Sequence, residues 1–190
     1  MKEQLLIGLI GKKRAGKDTF AAVLTERHGY EKVAFADPLR EAALALDPIV
    51  HVEIDKNGEP DVMRYSEALE AFGYEKAKDL FPEVRTVLQR LGTDSIRALD
   101  AGFWVRAAMD RVAKIDGPVV VTDVRFPNEA NAIRNAGGKL IRITRHAQPG
   151  DDHPTETALD DYQEDYTVPN LASKDALEAV ADRFGNAAIL

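Results

Sequence analysis

Short apolar runs alternate with helical patterns along most of this chain. Residues 5–10 are apolar apart from Gly8, which is typical of a strand buried on both faces of a sheet. Four further strand-like runs lie at 31–35, 118–123, 139–144 and 166–168. Helical patterns separate these runs at 17–28, from 37 onward, at 128–135 and at 175–184. The alternation predicts a doubly wound α/β domain with a mostly parallel sheet.

The middle of the chain departs from this alternation. Residues 49–54 and 61–65 flank the turn sequence KNGE, which predicts a β-hairpin. Helical patterns then dominate from 66 to about 113, with breaks near 81–82 and 100–102. We expect this region to bind a second substrate. The prediction is one domain, with a core at 1–48 and 114–190 and an insert at about 49–113.

Composition narrows the class of protein. The chain has 190 residues, of which 45% are hydrophobic and 30% are charged, and this suits one soluble domain. The net charge of −7 and the pI of about 5.2 disfavour binding to nucleic acid through an overall basic field. The absence of cysteine excludes disulfides, thiolate zinc sites and cysteine nucleophiles. The first apolar run is too short for a membrane span or a signal peptide, so we expect a cytoplasmic protein.

The sequence GKKRAGKDT at 11–19 fits the phosphate-loop spacing G-x-x-x-x-G-K. It follows a predicted strand and precedes a predicted helix, which is the context that supports such a match. Backbone amides and the helix N-terminus there attract phosphate, and Lys17 is expected to bridge the β- and γ-phosphates. The alternative is a basic strand–helix turn with chance glycines. The residues predicted to bind ATP here are Lys13, Arg14, Ala15, Gly16, Lys17, Asp18 and Thr19.

Two carboxylates are candidate Mg²⁺ ligands, directly or through water. Asp18 occupies the position where Ser or Thr usually binds Mg²⁺, and a carboxylate is also a hard oxygen ligand. Its alternative role is to favour the helix N-terminus. Asp123 ends the run VVVTD, and its alternative role is to cap the helix near Phe126. Arg125 follows on the same edge, where it either holds phosphate or pairs with Asp123.

Six segments together resemble deoxynucleoside monophosphate kinases of tailed bacteriophages, over about 5–170. They are GKKRAGKDT, FADPLR, PEVRTVLQRLGTDSIR, FWVRAAM, VVVTDVRFPNEANAI and LIRITR. The resemblance implies phosphoryl transfer from ATP to a deoxynucleoside monophosphate, with Mg²⁺, and it makes Asp18 a feature of the family. A monophosphate acceptor already carries an anionic oxygen, so alignment and charge neutralisation suffice without a strong general base.

The resemblance assigns the acceptor to the FADPLR segment and to the insert. We predict contacts to the deoxynucleoside monophosphate, through its phosphate or its base, from Leu39, Arg40, Arg85, Gln89, Arg90, Thr93 and Trp104. Arg90 and Arg97 are seven positions apart and would share one face of a continuous α-helix. The alternative is that these arginines are solvated. Trp104 either stacks on the acceptor base or belongs to the core.

The polar stretch RHAQPGDDHPTE resembles a lid at about 145–157. Arg145 would then stabilise charge on the transferred phosphoryl group, as a catalytic residue beside Lys17, Asp123 and Arg125. His146 and His153 are weak candidates for metal ligands, and Glu156 is a candidate contact for the lid arginine. By analogy with related kinases, Asn170 is expected to lie near the adenine.

Two other functions remain open at this point. One is a kinase for another phosphorylated small molecule, such as phosphomevalonate or dephospho-coenzyme A, and a panel of acceptors would separate it from the main hypothesis. The other is a nucleotide-binding switch, which would lack an acceptor pocket. The expected partners are ATP and a deoxynucleoside monophosphate, without nucleic acid or membrane, and a homodimer is compatible with the sequence.

Overall fold

The computed structural model describes residues 5–145 and 157–186. The chain forms two compact units: Met1–Phe35 with Val105–Leu190, called here the sheet unit, and Ala36–Trp104, called the helix–hairpin unit. In chain order the elements are β1 (Leu6–Ile10), α1 (Lys17–His28), β2 (Glu31–Val33), α2 (Asp37–Leu46), β3 (Ile49–Ile54), β4 (Pro60–Arg64), α3 (Tyr65–Phe72), α4 (Tyr74–Leu80), α5 (Pro82–Gln89), a π-helical segment (Arg90–Arg97), α6 (Phe103–Val112), β5 (Val119–Val121), α7 (Pro127–Asn135), β6 (Lys139–Thr144), β7 (Tyr166–Pro169) and α8 (Lys174–Gly185).

The sheet unit contains a five-stranded sheet in the order β2-β5-β1-β6-β7. All of its recorded strand pairs are parallel, and helices cover both faces. The predicted doubly wound α/β class is therefore confirmed. Within the described residues, no helix is both long enough and apolar enough to cross a membrane.

Both faces of β1 are buried, which explains its apolar sequence. Ile7 and Leu9 pack in the cluster that includes α1 and α8, whereas Leu6 and Ile10 pack in the cluster that includes α6 and α7. A Cβ atom on Gly8 would overlap the ends of side chains on α7 and β6, so a larger residue there would force these side chains to move. The central strand thus places the following loop at the middle of the sheet edge.

The C-terminal helix α8 packs against α1, the helix that follows the glycine-rich loop. Phe20 and Phe184 contact each other with ring centroids 5.7 Å apart. Arg27 forms ion pairs with Glu178 and Asp182, and His28 lies 3.0 Å from Asp182 through Nε2. An apolar contact and a cluster of charged side chains therefore join α1 to α8, although the two helices are far apart in sequence.

The helix–hairpin unit has its own core. Strands β3 and β4 pair antiparallel, as the turn sequence predicts. The outer part of this hairpin exposes Val52, Ile54 and Val62. The buried residues of the unit are Ala43, Val50, Tyr65, Ala68, Ala77, Phe81 and Val84.

The segment after α5 is a π-helix, and this overturns one prediction. Seven residues of an α-helix make almost two turns, so Arg90 and Arg97 would share a face. A π-helix has i→i+5 hydrogen bonds and holds more residues in each turn. Seven residues then fall short of two turns, and the two arginines do not lie on one face. The prediction of a shared face is wrong.

Candidate functional site

The loop between β1 and α1 needs its glycines for conformational reasons. Gly11 and Gly16 have φ values of 150° and 111°, in the region that side chains disfavour. A Cβ atom on Gly11 would also overlap the backbone oxygen of Ile143. Arg14 takes a left-handed conformation with φ of 62°, and the next loop residue, Ala15, is buried. The motif spacing therefore corresponds to a tightly curved backbone that leads into a helix N-terminus, as a phosphate loop requires.

Lys17 lies across this loop. Its Nζ donates hydrogen bonds to the backbone oxygen of Gly11 and, at 2.9 Å, to that of Lys12. The side chain is half-buried at the first position of α1. Lys13 is exposed, and Thr19 is half-buried in the first turn of the helix. The predicted phosphate lysine is thus held by the loop backbone itself.

Asn170, directly after β7, braces the same loop through a hydrogen bond. Its Nδ2 donates to the backbone oxygen of Ala15 at 2.8 Å, and its backbone N–H donates to Thr144 at 2.7 Å. A Cβ atom on Gly16 would lie 2.7 Å from the same Nδ2 atom. This brace was not foreseen from the sequence, although an asparagine at a strand end beside the loop is a usable signal. The predicted contact of Asn170 with adenine remains a prediction.

The two candidate Mg²⁺ ligands differ in their surroundings. Asp123 is half-buried, and its Oδ1 accepts a hydrogen bond from the backbone N–H of Phe35 at 2.7 Å. The side chain of Asp18 is 95% exposed and lies 4.0 Å from the Nζ of Lys32. Among the described residues, no three His, Cys, Asp or Glu side chains group closely enough to hold a metal. The carboxylates of Asp18 and Asp123 are hard oxygen donors of the kind that Mg²⁺ accepts, and this ion commonly binds one or two carboxylates together with water and substrate phosphates.

Glu129 supplies the carboxylate that caps α7. It is 3% exposed, and its Oε2 accepts hydrogen bonds from the backbone N–H groups of Arg125 at 2.7 Å and Phe126 at 3.1 Å. A glutamate at the third helical position is the usual sequence signal for this cap. Glu129 therefore fixes the backbone that carries the exposed side chain of Arg125.

Arg142 has a structural role next to the predicted lid. Its guanidinium donates to the carboxylate of Glu164 at 2.9 Å and to the backbone oxygens of Leu159 and Tyr162, each at 2.7 Å. Burial raises the pKa of Glu164, but hydrogen bonds from Thr167 and Arg142 outweigh this, and the pKa of Glu164 lies below its ordinary value. Arg142 thereby ties β6 to the segment that leads into β7.

Arg145 is exposed and is the last described residue before position 157. The remaining lid candidates, His146, His153 and Glu156, lie outside the described residues. The lid itself and the role of Arg145 in charge stabilisation therefore stay predictions.

In the helix–hairpin unit, Arg40 lies on the first turns of α2. Its Nη1 donates to Oδ1 of Asp37 at 3.1 Å, and its guanidinium carbon lies 4.5 Å from the ring centroid of Tyr74. Lys78 contacts the same ring at 4.4 Å and pairs with Glu75 at 2.8 Å. Two cations therefore share one aromatic ring, a feature that the sequence alone did not single out.

Leu39 and Trp104 meet at Gly92 of the π-helical segment. A Cβ atom on Gly92 would lie 2.6 Å from Cδ2 of Leu39, and the indole Nε1 of Trp104 donates to the Gly92 backbone oxygen at 3.0 Å. Trp104 is only 6% exposed. These contacts establish a packing role for both residues, and stacking of Trp104 on a base stays a prediction.

The other predicted acceptor residues lie on α5 and the π-helical segment. Arg85 donates to the carboxylate of Asp79 at 2.7 Å and to the Lys78 backbone oxygen at 3.0 Å. The structure thus directs the Arg85 guanidinium towards the end of α4. The side chains of Gln89, Arg90 and Thr93 are exposed.

A family model and one viral relative identify the family of this chain. The family model described as deoxynucleotide monophosphate kinase matches residues 75–181. A protein of Acanthamoeba polyphaga mimivirus, named "Putative deoxynucleotide monophosphate kinase", is 33% identical over 165 residues, which cover 82% of each chain. The ORF77 protein of Ictalurid herpesvirus 1 (strain Auburn), named as uncharacterized, is 36% identical over 113 residues, or 54% of this chain and 46% of that protein. The crystal structure of TT1252 from Thermus thermophilus has a similar fold, with a TM-score of 0.51 at 16% identity over 98% of this chain and 99% of that one.

Proposed function

Because the chain belongs to the deoxynucleotide monophosphate kinase family, we propose that it transfers the γ-phosphoryl group of ATP to a deoxynucleoside monophosphate. The family and the fold make it a phosphotransferase, and the deoxynucleotide acceptor is the proposal. The structural observation that supports phosphoryl transfer is the curved loop between β1 and α1, with Lys17 held across it, and the family membership supports the acceptor. The products would be ADP and the deoxynucleoside diphosphate.

On the ATP side, the loop amides and the N-terminus of α1 would surround the phosphates. Lys17 would exchange its hydrogen bonds with the loop carbonyls for contacts with the β- and γ-phosphate oxygens. Asn170 keeps the loop in the curved conformation through its bond to Ala15. Asp18 and Asp123 would hold Mg²⁺, in part through water, and the bound ion would neutralise charge on the β- and γ-phosphates.

The transfer itself requires alignment more than proton chemistry. An anionic oxygen of the acceptor monophosphate forms the new bond to the γ-phosphorus, while the bond from that phosphorus to the bridging oxygen of ADP breaks. The acceptor oxygen already carries negative charge, so no side chain has to remove a proton. Arg125 and Arg145 are proposed to stabilise the charge that is spread over the transferred group.

On the acceptor side, Arg40 is the proposed ligand of the monophosphate. A guanidinium offers several N–H donors in a fixed plane, which suits the oxygens of a phosphate. Residues on α5, the π-helical segment and the start of α6 are proposed to complete the binding of the nucleotide. They are Arg85, Gln89, Arg90, Thr93 and Trp104, together with Leu39 on α2.

Turnover with a panel of acceptors tests this function. ADP formation from ATP and Mg²⁺ should be strong with one or more of dAMP, dGMP, dCMP and dTMP. The matched ribonucleotides report whether the 2′-hydroxyl is rejected. Dephospho-coenzyme A and phosphomevalonate test the other kinase reactions. Measurable ATP binding without turnover of any acceptor would contradict the proposal and favour a nucleotide-binding switch.

A further inference from the structure

The guanidinium of Arg40 is held by two side chains that come from different helices. Asp37 accepts a hydrogen bond from its Nη1 at 3.1 Å, and the Tyr74 ring lies 4.5 Å from its central carbon. The Arg40 side chain is nevertheless 39% exposed. The charge is thus held by contacts from two helices, while part of the side chain remains accessible to solvent.

Two different carboxylates compensate the charges that share the Tyr74 ring. Arg40 pairs with Asp37, whereas Lys78, at 4.4 Å from the ring, pairs with Glu75. Both pairs are spaced three residues apart on their own helices, so each helix neutralises its own cation. The contact between Arg40 and Tyr74 joins α2 to α4, and it therefore adds orientation to Arg40 that α2 alone does not supply.

The buried neighbour of this cluster is Tyr65, the first residue of α3. Tyr65 is fully buried, and its hydroxyl has no hydrogen-bond partner among the described residues. Burial raises the pKa of Tyr65, the Tyr74 phenol raises it further, and the Arg40 charge opposes both. Arg40 and Tyr74 therefore lie at the edge of the packed core of the helix–hairpin unit, where side-chain positions are restrained.

A cation–π contact restrains an arginine without occupying its N–H donors. The attraction acts between the charge and the face of the ring, whereas phosphate recognition uses the N–H groups in the plane of the guanidinium. A free arginine side chain also loses rotamer freedom when it binds a ligand, and a prior contact lowers that entropic cost. The Tyr74 ring thus leaves Arg40 both oriented and able to bind.

We propose that Tyr74 is a positioning residue that orients Arg40 for the phosphate of the acceptor nucleotide. The inference rests on the proposed function, in which Arg40 binds the monophosphate. Tyr74 acts through Arg40 and needs no contact of its own with the substrate. The aromatic ring, and not its hydroxyl, carries this role.

The test compares Tyr74→Leu, Tyr74→Phe and Phe72→Leu in steady-state kinetics and in calorimetric titration with the preferred monophosphate. Tyr74→Leu should raise the acceptor KM and Kd about tenfold, the factor that corresponds to about 1.4 kcal/mol, with the KM for ATP unchanged. Tyr74→Phe keeps the ring and should remain within about twofold of wild type. Phe72→Leu removes an aromatic ring that contacts Lys76 instead of Arg40, so its acceptor KM should not change. If Tyr74→Leu does not fold by circular dichroism, Tyr74→Met replaces it.

Arg40→Gln separates the inference from the function on which it rests. An unchanged acceptor KM in Arg40→Gln would refute the assignment of Arg40 to the acceptor and the inference with it. A raised KM in Arg40→Gln together with a normal KM in Tyr74→Leu would overturn the inference alone. Equal losses in Tyr74→Phe and Tyr74→Leu would also overturn it, because they would assign the effect to the hydroxyl.

Discussion

The candidate site residues of the sheet unit and those of the helix–hairpin unit differ in the partners that hold them. In the sheet unit, Lys17 and Asp123 are bonded to backbone atoms of the loop and of the neighbouring strand end. In the helix–hairpin unit, Arg40 and Arg85 are paired with the side chains of Asp37 and Asp79. Backbone anchors persist when surrounding side chains change, whereas side-chain anchors depend on the identity of each partner.

This difference has a consequence for recognition. The triphosphate of ATP is the same whichever acceptor a kinase uses, and a loop of backbone amides suits this constant group. Acceptors differ in base and sugar, and a site built from side chains can be altered one residue at a time. We therefore expect substitutions in the sheet unit to act on the transfer step and substitutions in the helix–hairpin unit to act on acceptor affinity.

The largest effect is expected from Lys17→Ala, which tests the first half of this comparison. Loss of the ammonium removes the main protein charge next to the β- and γ-phosphates, so kcat should fall by about 100-fold or more. Calorimetric affinity for the monophosphate should remain near that of wild type. Lys56→Ala, in the hairpin turn, serves as the control for loss of a lysine. Normal turnover by Lys17→Ala would refute the assigned phosphate loop.

A smaller and more selective effect is expected from Arg90→Ala. The exposed Arg90 side chain is proposed to contact the acceptor, so its loss should raise the acceptor KM about tenfold. The KM for ATP should stay within about twofold of wild type, because Arg90 is proposed to contact the acceptor and not ATP. Arg183→Ala on α8 provides an arginine control in the sheet unit. An unchanged acceptor KM would give Arg90 a solvated surface role.

The smallest effect is expected from a pair of stability variants, one in each unit. Within residues 5–145 and 157–186, the buried hydroxyls of Tyr30 in the sheet unit and Tyr65 in the helix–hairpin unit have no hydrogen-bond partner. Tyr30→Phe and Tyr65→Phe should therefore leave the free energy of unfolding unchanged or raise it by up to about 1 kcal/mol. Urea unfolding at neutral pH measures both. A clear loss of stability in only one variant would show that the hydroxyl of that tyrosine stabilises its unit. The two units would then differ in the role of their buried hydroxyls as well as in their sites.

Much of the sheet unit was predictable because its signals are local. The apolar strand, the two glycines and Lys17 lie within about a dozen positions, and each follows from backbone conformation or strand burial. The brace from Asn170 to Ala15 was not predictable, because it joins residues 155 positions apart. Glu129 has a recognisable capping position, three residues after Phe126, whereas Asp123 bonds to the backbone of Phe35.

The sequence by itself determined the α/β class, the phosphate loop, the hairpin and the family resemblance, because these depend on periodicity, glycine conformation and motif order. Only the tertiary structure decided that Arg90 and Arg97 lie on different faces, since α- and π-helices differ in hydrogen-bond register and not in a simple residue pattern. It also decided that Arg40 contacts Tyr74 and that Trp104 bonds to Gly92. These contacts form between separate helices, whose packing side by side is specified by the whole core of the unit.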